Sequence, residues 1–467
     1  MAQGHLDRLS SVDAGFLHQE DGGAHMHIGA LGVFAGPPPT GQEFRDHLAS
    51  RLPLLPRYRQ RLAYPPLGTG RPLWVEDTSF SLGYHVRHTA LPAPGSDEQL
   101  RTLTSRIVAQ RLDPTKPLWE MWLVEGLASG GFAVIAKTHH AMIDGVAGVD
   151  LLTVLFDVTR ETSTPVEPKT FSPQPTPDAL ALLALGARGG LRTLVALGTR
   201  GVGLALRPRE GLRALAETAA ALAETALPLV NGAPPTPLNV KPGPHRTLAI
   251  VRTPLADYKA VKAAYGGTVN DVVLTAVAGA LGRFLATRGM ATEGLELRAC
   301  VPVSVRRADG HGSLGNEITV MMAPLPVGVT DPVERLAAVR ASMRNLKDSR
   351  QAEGAKMLTS LENALPPAVL ARASRLGFSS RMYNLLVTNV PGPQVPIFML
   401  GRELLELTPL AFLAPEHTLA IAIISYHGAV TYGLLADADA DADLPVLADM
   451  LSEALAELVA SARAIPG

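Results

Sequence analysis

The chain has one cysteine in 467 residues, Cys300 in the apolar run LRACVPVSV, so no disulfide forms within it and nothing calls for an oxidising compartment. It also lacks an excess of charge of either sign. Its 42 basic and 43 acidic residues leave a formal net charge of -1, too little for a global field that recruits nucleic acid. No basic stretch leading into an apolar core opens MAQGHLDRLSSVDAGF, and the expectation is a cytoplasmic protein without a secretory signal. Long uninterrupted hydrophobic runs are missing too. The nearest candidate, residues 179–198, is broken by Arg188 and Arg192 and holds four glycines, whereas a bilayer span needs about 20 nearly uncharged residues. What is abundant is apolar: 47% hydrophobic and 18% charged residues exclude a disordered chain and predict a large buried interior.

Length favours two domains of roughly 200 residues each. Residues 161–178, ETSTPVEPKTFSPQPTPD, are dense in Pro, Ser and Thr without an apolar period and read as a linker. An Ala/Leu-rich helical region follows, and a second alternating stretch begins at His245. The predicted division is therefore 1–160, an intervening 161–244, and 245–467. In the first part EMWLVEGL and GFAVIAKTH, separated by Ala128, Ser129 and Gly130, read as a hairpin. In the last part strands are predicted at LRACVPVSVR, NEITVMMAPL, YNLLVTNV, TLAIAIISYH and AVTYGLLAD, between helices near residues 270–287, 331–347 and 444–463. The predicted fold class is α/β, mixed and with substantial antiparallel character.

The densest polar cluster is KTHHAMIDGVAG, residues 137–148, at a strand-to-helix junction where side chains at the strand's end face a cleft. Consecutive side chains on a strand point to opposite faces, so His139 and His140 are badly placed to share a metal ion. A helical zinc pair needs i,i+4 spacing, and one cysteine supplies no thiolate set, so no metal site is predicted. The same geometry gives the two histidines separate tasks, one facing a cleft and one packing behind it, without saying which is which. An imidazole with a pKa of about 6.5 takes a proton from a hydroxyl and returns it to a leaving group near neutral pH. Asp144 either orients an imidazole or pins the loop through a basic partner, and Gly145 permits a tight turn or leaves room for substrate. The bland alternative is a buried, hydrogen-bonded histidine pair with an N-capping Asp. HGSLG at 311–315 lacks the first glycine of a nucleophile elbow, no phosphate-binding or dinucleotide loop is present, and ADADADAD at 436–443 fits no calcium loop.

HHAMIDG matches the HHxxxDG motif of the CoA-dependent acyltransferase superfamily. Further segments narrow the match: LSSVDAGFLHQE with MHIGALGVF, LDPTKPLWEMWLVEGL, PHR at 244–246, GGTVNDVVLTAVAGAL, VPVSVR, the GN of Gly315 and Asn316, TNVPGP and SYHGAVTYGLLAD. In order and over nearly the whole chain, these closely resemble the bacterial wax ester synthase/diacylglycerol acyltransferase family. The resemblance implies two similar domains of the chloramphenicol acetyltransferase type, each a mixed sheet flanked by helices, with the HHxxxDG loop in a tunnel between them. It implies that His140 is the base, that His139, Asp144 and Gly145 hold the loop, and that Arg306, ending VPVSVR, is the partner of Asp144. The implied reaction is O-acylation of diacylglycerol or long-chain alcohols, with acyl-CoA as co-substrate and no other cofactor. Asn270 and Asn389 become candidates to receive an oxyanion or an acceptor hydroxyl, against a helix-capping role for the first and a turn-holding role for the second. Asp271 reads as a first-turn helix charge, and Trp119 as either a tunnel wall or a packing residue. The rival readings are a condensation-type enzyme fed by a carrier-protein thioester and a lipid-binding protein without turnover.

Residues 179–209 carry Arg188, Arg192, Arg200, Arg207 and Arg209 among Leu, Val and Ala, with no acidic residue. This suits peripheral attachment to an inner membrane surface or lipid droplet, the alternative being a domain-covering helix pair with solvated arginines.

Overall fold

The computed structural model describes residues 7–20, 23–142, 154–161, 173, 175–185, 232–304, 318–348, 371–372, 375, 377–440 and 443–465. The first half runs α1 (Ser11–Gln19), β1 (His27–Phe34), α2 (Gly41–Arg51), β2 (Gln60–Ala63), β3 (Leu73–Glu76), the single turn α3 (Leu82–His85), β4 (Val86–Ala90), α4 (Asp97–Ala109), β5 (Trp119–Glu125) and β6 (Phe132–His139). The second runs β7 (Arg246–Pro254), α5 (Leu255–Tyr265), α6 (Val269–Thr287), β8 (Leu297–Ser304), β9 (Ile318–Leu325) and α7 (Pro332–Asp348). It continues through β10 (Leu385–Pro391), β11 (Phe398–Met399), β12 (Arg402–Leu410), β13 (Leu419–Tyr426), β14 (Ala429–Asp437) and α8 (Leu444–Arg463).

Two six-stranded mixed sheets result, in the orders β11-β12-β1-β6-β5-β4 and β7-β14-β13-β10-β8-β9, with β2 and β3 paired apart. Both sheets combine antiparallel and parallel neighbours: β4 runs parallel to β5, and β10 runs parallel to both β8 and β13. β6 lies inside the first sheet, and its run FAVIAKTH is buried on nearly every residue because both faces are covered. Its register with β1 sets His139 opposite His27.

Two strands of the nominal second domain lie in the first sheet: β12 pairs antiparallel with β1, and β11 pairs with β12 at the edge. The predicted strands omit RELLELTPL because its polar Arg402, Glu403 and Glu406 interrupt any clean alternation, and its burial is correspondingly irregular. The two sheets touch where Gly433 of β14 lies against the Pro409 carbonyl of β12, and any side chain there would strike it.

α6 is long and apolar enough to cross a membrane, yet residues such as Val272, Leu274, Leu281 and Leu285 are buried against the second sheet and its helices. It is a core helix. Its start is fixed by a capping box: Thr268 Oγ1 accepts from Asp271 N–H at 3.2 Å while Asp271 Oδ2 accepts from Thr268 N–H at 2.7 Å.

Candidate active site

The two histidines end β6 in different surroundings. His139 is 1% exposed, and Ala141 N–H donates to its Nδ1 at 3.0 Å. Its Nε2 faces Glu20 Oε1 at 3.3 Å, within ion-pair range. His140 opens a 3-10 turn, its backbone N–H bonded to Met26 O at 2.8 Å, and the residue is half-buried. That ring stacks on Phe16 with centroids 4.0 Å apart and meets Phe412 edge-on at 5.7 Å. Its Nδ1 has no hydrogen-bond partner among the described residues. Burial first, and the neighbouring His139 second, push the His140 imidazole down to a pKa of about 4, so it is neutral at physiological pH.

Glu20 is the residue that spacing missed. It follows α1 directly, its side chain is 7% exposed, and it gathers His139, His27 (3.7 Å), Arg111 (2.9 Å) and the Met26 N–H (3.3 Å). Burial alone raises its pKa. The hydrogen bond from His139, the pull of His139 and His27 and the charge of Arg111 outweigh it and hold the carboxyl at about 2. Beside this cluster Lys137, also buried, donates to the carbonyls of Ile107 (3.0 Å) and Gln110 (2.9 Å) at the end of α4, with Glu120 at 3.5 Å. Burial lowers its pKa against the opposing pull of Glu120. It ties the histidine strand to α4.

The second half closes over the site from two directions. Phe412 and Phe378 join Phe16 in an apolar cluster with Met26, Met382 and Tyr383 around the His140 ring. Arg246, in the PHR segment, donates to Gly243 O (2.7 Å) and His245 O (2.8 Å) and also to Gly23 O, so it holds the segment leading to Met26 against β7.

The remaining candidates separate. Asn389 on β10 donates to Asn270 Oδ1 at 3.2 Å, joining two family segments 119 residues apart. Asn270 is not the helix cap, which is Thr268, and neither asparagine bonds to a histidine among the described residues. Asp271 is the acidic member of the capping box. Trp119 is packing: 1% exposed in the first domain's core, it stacks on His85 at 4.7 Å and donates its indole N–H to Tyr58 O at 2.8 Å. A tunnel-wall role is corrected accordingly, because this ring faces the sheet interior and not the cluster around His140. Asp144, Gly145 and Arg306 lie outside the described residues, as do Arg188, Arg192, Arg200, Arg207 and Arg209.

A neutral imidazole packed against Phe16 and Phe412, beside a second imidazole that accepts from Ala141 N–H and faces Glu20, fits an acyltransferase of the HHxxxDG class. Residues 9–273 match the wax ester synthase/diacylglycerol acyltransferase catalytic domain, and residues 314–459 match the C-terminal domain of the same family. The chain belongs to that family. It is 34% identical over 468 residues to the probable diacylglycerol O-acyltransferase tgs1 of Mycobacterium tuberculosis, covering 98% of this chain and 97% of that one. It is similar in structure to the wax ester synthase/diacylglycerol acyltransferase of Marinobacter aquaeolei VT8, with a TM-score of 0.69, 26% identity and coverage of 98% and 99% of the two chains. The first condensation domain of the calcium-dependent antibiotic synthetase shares the fold, with a TM-score of 0.63 at 18% identity over 98% of this chain and 97% of that one.

Proposed function

We propose that the enzyme transfers the acyl group of acyl-CoA to the hydroxyl of diacylglycerol or a long-chain alcohol, with His140 as general base. The supporting observation is the different setting of the two rings: His139 accepts from Ala141 N–H and faces the Glu20 carboxylate, while His140 is a neutral imidazole stacked on Phe16 and flanked by Phe412. His140 takes the hydroxyl proton as the oxygen attacks the thioester carbonyl. The carbon–oxygen bond forms, the carbon–sulfur bond breaks as the tetrahedral adduct collapses, and His140 returns its proton to the departing thiolate. The products are an ester and free CoA, and no prosthetic group takes part. A low proton affinity in the resting site is compatible with this role, since the charge developing on the substrate oxygen stabilises the imidazolium beside it. Phe16, Phe378 and Phe412 supply an apolar surround suited to an acyl chain or a lipid acceptor. In this reading Asp144 and Gly145 hold the loop, Arg306 is the partner of Asp144, and the Asn270–Asn389 pair serves the oxyanion or acceptor hydroxyl.

The same reading has the protein work peripherally at a membrane or droplet surface, where such acceptors dissolve. Support comes from the arginine-rich stretch of the sequence and from the loop between β2 and β3, whose Leu67 is 94% and Tyr64 54% exposed. His140→Ala is expected to lower thiol release from palmitoyl-CoA, with diacylglycerol or hexadecanol as acceptor, by about 10²- to 10⁴-fold while leaving the melting temperature nearly unchanged. Turnover at the wild-type rate in that variant excludes His140 as the base.

A further inference from the structure

The segment formed by α1 and the residue after it addresses both histidines, each with a different kind of group. Its start is fixed by Ser10, whose hydroxyl accepts from Asp13 N–H at 3.0 Å, and its buried side carries Phe16, 9% exposed. Phe16 lies nearly flat on His140, with centroids 4.0 Å apart and planes 24° from parallel. Glu20, directly after the helix, faces His139 at 3.3 Å. One imidazole thus has a carboxylate and the other the face of an aromatic ring. Among the described residues no carboxylate bears on His140. The Phe16 ring is itself held, because Phe378 and Phe412 meet it in edge contacts at 5.6 and 5.9 Å. Those contacts from the second half fix the face on which His140 rests.

The difference matters at the proton transfer. When the acceptor hydroxyl gives its proton to His140, the imidazole becomes a cation in surroundings whose burial disfavours charge. The oxyanion of the tetrahedral adduct is one counter-charge. The face of a phenyl ring is another, since it is the negative side of the ring's quadrupole and attracts a cation within about 6 Å of the centroid. At 4.0 Å Phe16 is well inside that range. The same face acts much more weakly on the neutral imidazole of the resting enzyme, so it favours the transition state over the ground state. A carboxylate in its place would hold a proton on His140 at rest and remove the base. A ring that served only as an apolar wall would need bulk and no particular charge distribution.

We propose that Phe16 is a positioning residue for the base: its face fixes the plane of the His140 ring and stabilises the imidazolium that forms as the hydroxyl proton is taken. The inference rests on the reading of His140 as general base and deepens it by naming what supports the charge on that base.

The test replaces Phe16 by mono-, di- and trifluorophenylalanine, which keep the shape of the ring and weaken its negative face step by step. Transfer from palmitoyl-CoA to hexadecanol is followed in single turnover, where product release does not enter. The rate constant is expected to fall with each added fluorine, by about tenfold over the series. Steady-state KM for both substrates and the melting temperature should be little changed. A flat series, a loss complete at the first fluorine, or a loss that tracks the melting temperature overturns the assignment, because each marks packing and not charge. If His140→Ala transfers at the wild-type rate, the general-base reading falls and this inference with it. If His140→Ala is inactive and the fluorinated series is flat, only the inference falls.

Discussion

At the scale of single residues the site sets one neutral imidazole among aromatic rings and its neighbour against a buried carboxylate. The His140 pKa of about 4 lies below the usual histidine value of 6.5, so the neutral, proton-accepting form persists well into mild acid. Because kcat/KM reports the free enzyme, its acid limb is expected to have a midpoint near 4; a midpoint near 6.5 would show a solvated imidazole instead. Glu20 has the opposite consequence for folding. Its folded pKa of about 2 lies below the usual 4.5, so its stabilisation is complete above about 4.5 and is lost as pH falls toward 2. Glu20→Gln should therefore be about 3 kcal/mol less stable than wild type at pH 7 in urea titrations. The gap should narrow as pH drops below about 4.5, and a gap independent of pH would remove the ionic account.

Part of this was legible. The two rings do diverge, one meeting Glu20 and the other Phe16, although only His139 ends the strand and His140 opens the turn after it. Which of them stays free was invisible to spacing, since it depends on the Ala141 N–H reaching back to His139 and on a carboxylate far upstream. Glu20 had a faint signal, an acid directly after a helix within LSSVDAGFLHQE, but in sequence it is indistinguishable from a solvated helix-end charge.

Among the elements, helices and central strands could be read because their residues repeat with one period: α6 is capped by Thr268 and Asp271, and β13 and β14 are almost wholly apolar. β12 could not, because an edge-ward strand with Arg402, Glu403 and Glu406 looks like a loop until its partner is known. The Asn270–Asn389 contact is equally silent in sequence, as it arises only when α6 settles against β10. Arg246 shows how one side chain couples elements: it carries three carbonyl bonds, one of them to the segment ahead of β1. Arg246→Met leaves those acceptors short of a donor and should lower stability by about 2–4 kcal/mol. Amide hydrogen exchange from His25 to His27 should quicken at the same time, whereas unchanged exchange there would confine the effect to β7.

For the whole molecule, the crossing of β12 removes the independence that two sheets suggest. Its pairing with β1, the Gly433–Pro409 approach and the Arg246–Gly23 bond all join the halves. Calorimetry should therefore show a single unfolding transition, and two resolved transitions would show that the halves fold separately.

The strand exchange also fixes an order of events during synthesis. β1 and β6 leave the ribosome early, but the outer edge of β1 has no neighbour until Leu410 has been made and has emerged. Throughout that interval the nascent chain presents an open strand edge, the kind of surface on which other chains template themselves. The sheet bearing the histidines is begun first and closed nearly last, so no half-made chain carries a finished reaction centre.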